Sequence, residues 1–203
     1  MNALTRRTGL SSALCAVLLA STSSRAQEVD PAAAQIEAFQ ASLLEVMKEG
    51  PTLGAKGRFR RLTPIVQRVF DLPLMTQFAV GPAWATMAAS DRTALIEAFT
   101  RLSAASYAHN LTRFSGERFT VDPAVRTRGA DKIVQAHLIP AHGDQVNIAY
   151  RMRDVSGTWK IVDVYYGAVS QLTTRRADFA GPLASGAAGL IAHLDALVAK
   201  LLA

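Results

Sequence analysis

Residues 146–166, VNIAYRMRDVSGTWKIVDVYY, decide the fold of this chain. Val146, Ile148, Tyr150 and Met152 alternate with Asn147, Ala149, Arg151 and Arg153, the period of two that puts one set of side chains on a covered face and the other on an open one. Ser156-Gly157 supplies a turn. Thr158–Tyr166 then returns, rich in aromatic and β-branched residues. The segment reads as an antiparallel hairpin with one face packed against something else.

Working upstream, the same period of two is present in shorter pieces. Phe119-Thr120-Val121 and Val125-Arg126-Thr127 flank Asp122-Pro123 as candidate strands. Lys132 to Ile139 alternates up to the turn at His142-Gly143-Asp144. Before about Leu111 the period is helical. Asp30-Pro31 pairs a capping side chain with a residue preset for a first turn, and Ile36, Phe39, Leu43 and Met47 follow at helical spacing as far as Gly50-Pro51. A second helix carries Phe59, Leu62, Ile65, Val66, Val69 and Phe70, with Arg58, Arg60, Arg61 and Arg68 expected on its other, solvated face. Pro64 within it is expected to start or kink a turn. Asp71-Leu72-Pro73 opens a short helix stopped by Gly81-Pro82. Ser90 or Asp91 is expected to cap a longer one with Leu95, Phe99, Leu102 and Tyr107. After Gly167 the helical period resumes, broken near Pro182 and Gly186. The expected fold is therefore α+β: a helical N-terminal half, an antiparallel twisted sheet and closing C-terminal helices, with apolar side chains at their joint and around any cavity left there.

The N-terminus has a different character. Arg6-Arg7, the apolar run Thr8 to Ala20 and the small-x-small site Ser24-Arg25-Ala26 describe a cleaved secretory signal over residues 1–26, exported by the general or the twin-arginine route. Its apolar run is shorter than the about 20 residues a membrane span needs. That leaves residues 27–203 as a single exported domain. The full chain has 22 basic and 16 acidic residues, net +6. Cleavage removes Arg6, Arg7 and Arg25 and no acid, so 19 basic residues face 16 acidic ones, net +3. Cys15, the one cysteine, also goes. Burial of apolar surface rather than disulfides must hold the domain together.

Motifs for chemistry are sparse. His109, His137, His142 and His193 lack the spacing of a metal site, so no metal or cofactor is expected. The run 50–56, GPTLGAK, has the wrong glycine spacing for a phosphate loop and no strand before it. Ser170 lacks the glycines of a nucleophile elbow. Plain alternation puts Asp163 on the strand face of Trp159, Ile161 and Tyr165. There it could serve as general base in an NTF2-like pocketed enzyme acting on a polycyclic lipid, or hydrogen-bond backbone and fix the sheet. A lone acid makes no constellation, and the second role is the expected one. The arginine pairs, among them Arg126-Arg128, Arg151-Arg153 and Arg175-Arg176, read mostly as solvated faces. One pair could meet a lipid phosphate or an acidic partner. They are not interleaved with aromatics as a nucleic-acid surface would be.

The residues Tyr150, Gly157-x-Trp159-Lys160-Ile161-x-Asp163-Val164, Gly167, Val169-Ser170 and Arg176-x-Asp178-Phe179 form a pattern that resembles the Mla/toluene-tolerance (Ttg2-type) family. Its members are periplasmic phospholipid-binding auxiliary components of a lipid ABC transport system, tied to outer-membrane maintenance. Phe70-Asp71, Gly81 and Trp84 match the helical half in order. Tyr166-Gly167-Ala168 and the run 174–179 are closer to a branch associated with hopanoid biosynthesis. The resemblance implies a carrier rather than an enzyme. It would hold a phospholipid or hopanoid-like lipid in an apolar cavity and dock transiently, as a monomer, with inner- and outer-membrane transport complexes. The residues expected around that cavity are Phe70, Leu72, Leu74, Phe78, Trp84, Phe99, Leu102, Val146, Ile148, Tyr150, Trp159, Ile161 and Val164.

Overall fold

The computed structural model describes residues 29–203, so the signal segment expected over residues 1–26 lies outside the described residues. Asp30 caps the first helix as its sequence requires: its Oδ1 accepts from the Ala32 amide at 2.9 Å, and Pro31 opens α1 (Pro31–Lys48). The other Asp30 carboxylate oxygen takes the Lys132 ammonium at 2.6 Å, tying the start of α1 to the sheet. Ile36, Phe39, Leu43 and Met47 are buried along one stripe.

The second helical stretch, α2 (Gly50–Val69), departs from expectation twice. Its break falls at Gly54, which adopts φ 61°, ψ 178°, whereas Pro64 lies inside the continuous part. A proline removes one amide donor, but only glycine takes that positive-φ geometry without strain. Arg58 is buried rather than solvated. Its Nε donates to the Ala108 carbonyl at 2.8 Å and Nη1 to the Gly50 carbonyl at 2.9 Å, so it staples the start of α2 to the end of α4. The backbones are so close there that a Cβ on Gly50 would lie 2.4 Å from the Thr112 carbonyl oxygen.

Asp71 caps α3 (Leu72–Val80) through the Leu74 amide at 3.1 Å. A 3-10 turn, Gly81–Thr86, leads to α4 (Ala89–Asn110), which starts ahead of Ser90 and Asp91 and has no side-chain cap. After the strands, Ser170 caps α5 (Gln171–Leu183) through the Thr173 amide, and α6 (Gly186–Leu201) ends the chain on the flank of α4. No single helix among the described residues is long and apolar enough to cross a membrane.

The strands are β1 (Arg118–Val121), β2 (Arg126–Arg128), β3 (Asp131–Ile139), β4 (Val146–Val155), β5 (Thr158–Tyr166) and β6 (Val169–Ser170). They form one antiparallel sheet in the order β1-β3-β4-β5-β6, with β2 also on β3. Ser156 at φ 54° and Gly157 at φ 84° make the β4–β5 turn that the right-handed twist of a hairpin favours. The helices cover one face. There Val134, Ala136, Ile148, Tyr150, Met152, Ile161 and Val164 join Leu62, Val66, Leu95, Phe99 and Leu194 in one core. Phe39 sits at its centre, edge-on to Phe70 (5.5 Å), Tyr107 (5.6 Å) and Tyr150 (6.4 Å).

One irregularity overturns the expected alternation on β5. Met152 pairs with Ile161, but Arg151 pairs with Asp163, so Val162 is an extra residue in a β-bulge. Ile161 faces the helices opposite Met152, and so does Val164 opposite Tyr150. Asp163 and Tyr165 are thereby turned to the other face, opposite Arg151 and Ala149, away from the position that plain alternation assigns them. The bulge also organises the outer edge of β5. Ile161 is bridged there by Phe70 and accepts from the Asp71 amide at 2.9 Å, and Lys160 donates to the Arg68 carbonyl.

Candidate functional site

A stripe on α4 builds one wall of a cavity. Phe99, Leu102, Ser103, Ser106, Tyr107 and Asn110 recur at three- and four-residue intervals and so share one helix face. Phe70 and Met75 close it from the α2–α3 junction and α3, Val164 and Tyr166 from β5, and Gln171, Leu172 and Arg175 from the start of α5. The cavity volume is ≈ 150 Å³. The serines do little to make it polar. Ser103 Oγ donates to the Phe99 carbonyl at 2.8 Å and Ser106 Oγ to the Leu102 carbonyl at 2.9 Å, so their polar hydrogens are spent on their own helix.

Tyr107 reports the character of the interior. Surrounding apolar atoms push its phenol well above the ordinary value of 10.0, and Tyr150 and Tyr166 add to the effect. Its hydroxyl makes no hydrogen bond among the described residues, yet the ring borders the void. Burial pushes the Tyr166 phenol up as well, although 43% of that residue is exposed. Tyr166 is therefore a rim residue, with its body against the cavity and its edge in solvent.

The cavity has a polar side. A cleft of ≈ 320 Å³ between α4, α5 and α6 shares Leu102, Ser106, Asn110 and Arg175 with it and adds Leu197, Lys200 and Leu201. Among the described residues no aspartate or glutamate lines either space, while Arg175 and Lys200 do.

The sequence-derived residues divide. Phe70, Phe99, Leu102 and Val164 meet at this cavity. Leu72, Ile148, Tyr150 and Ile161 are buried in the core outside its lining, where Ile148, Tyr150 and Ile161 hold the sheet to the helices. Leu74 is half-buried on α3. Phe78 is exposed with the Arg176 guanidinium 5.4 Å from its ring centre, and Trp84 is half-buried under Arg92. Trp159 is half-buried with the Lys132 ammonium 4.5 Å above its ring, and Val146 is exposed at the start of β4. Met75, the α4 hydroxyls, Tyr107, Tyr166 and the start of α5 were not among the expected lining. The α4 stripe was visible in the spacing, but the approach of β5 and α5 depends on contacts far apart in sequence.

Asp163 has a different position from the one a general base would need. Its Oδ1 accepts from the Val164 amide at 2.8 Å and the Leu172 amide at 3.1 Å, and Oδ2 accepts from Ser170 Oγ at 2.7 Å. It is buried outside the cavity lining and fastens the start of α5 to the bulge. The backbone-fixing role, not the catalytic one, is what these hydrogen bonds perform.

Known proteins share this fold. The structure is similar to that of the phospholipid-binding protein from Ralstonia solanacearum solved in complex with a phospholipid at 1.53 Å. The TM-score is 0.74 at 21% identity, over 85% of this chain and 99% of that one. No curated protein matches the sequence. The family model described as MlaC protein matches residues 37–199, most of the chain, and with that match the chain belongs to the MlaC family.

Proposed function

We propose that this protein is a periplasmic lipid carrier that holds the acyl chains of a phospholipid in the cavity between α3, α4, α5 and β5 and passes the lipid between membrane complexes. One observation carries the reading: an apolar chamber with a single polar, carboxylate-free side, in a chain of the MlaC family. The solved phospholipid-bound structure of the same fold supports it. Acyl burial gains roughly 0.8 kcal/mol per methylene, so such a site needs apolar walls and few convergent polar groups.

The ≈ 150 Å³ chamber is smaller than the roughly 300–1,000 Å³ typical of ligand sites, so loading separates its walls. The short helix α3 and the start of α5 are the elements expected to move away from α4. The same chamber would take a hopanoid-like lipid if Tyr166-Gly167-Ala168 marks that branch. Docking with inner- and outer-membrane complexes belongs to the same reading, with the protein acting as a monomer.

Purification without detergent, followed by organic extraction and mass spectrometry, tests the proposal. A stoichiometric phospholipid is expected, and its identity separates phospholipid from hopanoid cargo. Absence of any lipid, together with no uptake from phospholipid vesicles, overturns the carrier reading.

A further inference from the structure

We propose that Arg175 and Lys200 form a headgroup subsite that holds the anionic phosphate ester of the cargo lipid, a deeper reading of the same cavity that rests on its carrying a lipid. Arg175 lines both the acyl chamber and the adjoining cleft, the junction where a chain passing outward gives way to its headgroup. Lys200 approaches the same cleft from α6, and Asn110 offers an amide from the end of α4. With no carboxylate lining either space, the local field is positive in a domain whose acids and bases otherwise nearly balance.

The engagement of the cations sets these two apart from most of the others. Arg58 is spent on carbonyls, Arg151 and Arg153 on Asp131, Arg101 on Asp195 at 2.7 Å, and Arg176 lies over Phe78. Arg175 has only a loose exposed pair with Asp178 at 3.7 Å on its own helix, which contributes little and yields readily to a phosphate. Lys200 has no ion pair or hydrogen bond among the described residues, and it is exposed. A guanidinium fork matches two phosphate oxygens, and an ammonium supplies a second point of charge. The subsite therefore selects phosphate-bearing lipids over neutral lipids with identical chains.

The test presents the purified protein with mixed vesicles of phosphatidylglycerol and a diacylglycerol of the same acyl chains, and measures what it extracts. The wild type is expected to enrich the phospholipid. R175Q/K200Q is expected to lose that preference by about tenfold while still extracting diacylglycerol, the size of effect that losing a charge-assisted hydrogen bond produces. R126Q, on the open sheet face, is expected to leave the preference unchanged. An unchanged ratio in R175Q/K200Q, or an equal loss in R126Q, overturns the subsite, because the charge then acts only by attracting vesicles. Calorimetry with inorganic phosphate separates the two sources of the anion. Binding of free phosphate at Arg175 as tight as the lipid's overturns the headgroup assignment, and absence of such binding supports it. If the wild type extracts neither lipid, the carrier reading itself fails, a result distinct from an unselective uptake.

Discussion

The two faces of the sheet are built from the same strands and solve opposite problems. On the face toward the helices, Val134, Ala136, Ile148, Tyr150, Met152, Ile161 and Val164 are buried and supply one wall of the core, with Val164 also reaching the cavity. On the open face, Asp131, nearly inaccessible itself, accepts from Arg153 Nε at 2.7 Å and Nη2 at 3.0 Å and from Arg151 at 2.5 Å. His137 there contacts Asp122 and Asn147, which together raise its affinity for a proton. Apolar burial is non-directional, so on the proposed function the inner face could part from the helices and close again around a lipid. The outer network needs fixed angles and keeps the strands in register while that happens. On the proposed carrier function, the chamber would thus have one rigid wall.

The contrast can be broken from the inside first. Met152→Ala empties a fully buried site away from the chamber and is expected to cost about 3 kcal/mol, read as a lower urea midpoint. Asp163→Ala should approach that loss, about 2–3 kcal/mol, because the buried Val164 and Leu172 amides lose their acceptor. If it instead abolished lipid extraction with stability intact, the structural role of Asp163 would be wrong.

Asp131→Asn probes the outer face and should cost less, about 1–2 kcal/mol at neutral pH, since both arginines are more than a third exposed. Its pH dependence has a definite sign. Burial works to raise the Asp131 carboxyl, but the hydrogen bonds and charges of Arg153 and Arg151 hold it below its ordinary 3.8. The group favours the fold when ionised, so its contribution is present above about pH 4 and is lost as pH falls through the lowered value. Wild type should therefore lose stability more steeply than the Asn variant under acid titration, the two converging below that range. A constant difference between them down to the lowest pH would exclude the ion pairs as its source.

The smallest effect is expected at Tyr107→Phe. The lost hydroxyl has no protein partner, so stability should change by less than about 0.5 kcal/mol while acyl-chain uptake is kept or improved. A clear loss of uptake would mean that the phenol hydrogen-bonds the cargo.

What could be read from the sequence was what depends on neighbours. The Ser156-Gly157 hairpin, the Asp30 and Asp71 caps, the stop at Gly81 and the buried side of β4 each follow from a few adjacent residues. The resemblance then carried the reading from an α+β domain to the MlaC family. Five features escaped. Arg58 is buried because two carbonyls, one of them fifty residues away, reward it there. The break at Gly54 takes a positive-φ geometry that the sequence does not announce, and α4 starts early without a side-chain cap to mark it. The cavity draws on α4, β5 and α5 at once, so only part of its lining, Phe70, Phe99, Leu102 and Val164, was anticipated by position. The bulge at Val162 leaves no mark in a sequence that alternates plausibly without it.

That bulge gives β5 a change of parity. Before it, odd-numbered residues such as Ile161 belong to the interior, and after it even-numbered ones do, Val164 and Tyr166 among them. One supernumerary residue thereby divides the labour of a five-residue stretch. Positions 164 and 166 are where variation would retune the cargo. Position 163 is where it would instead loosen the anchorage of α5.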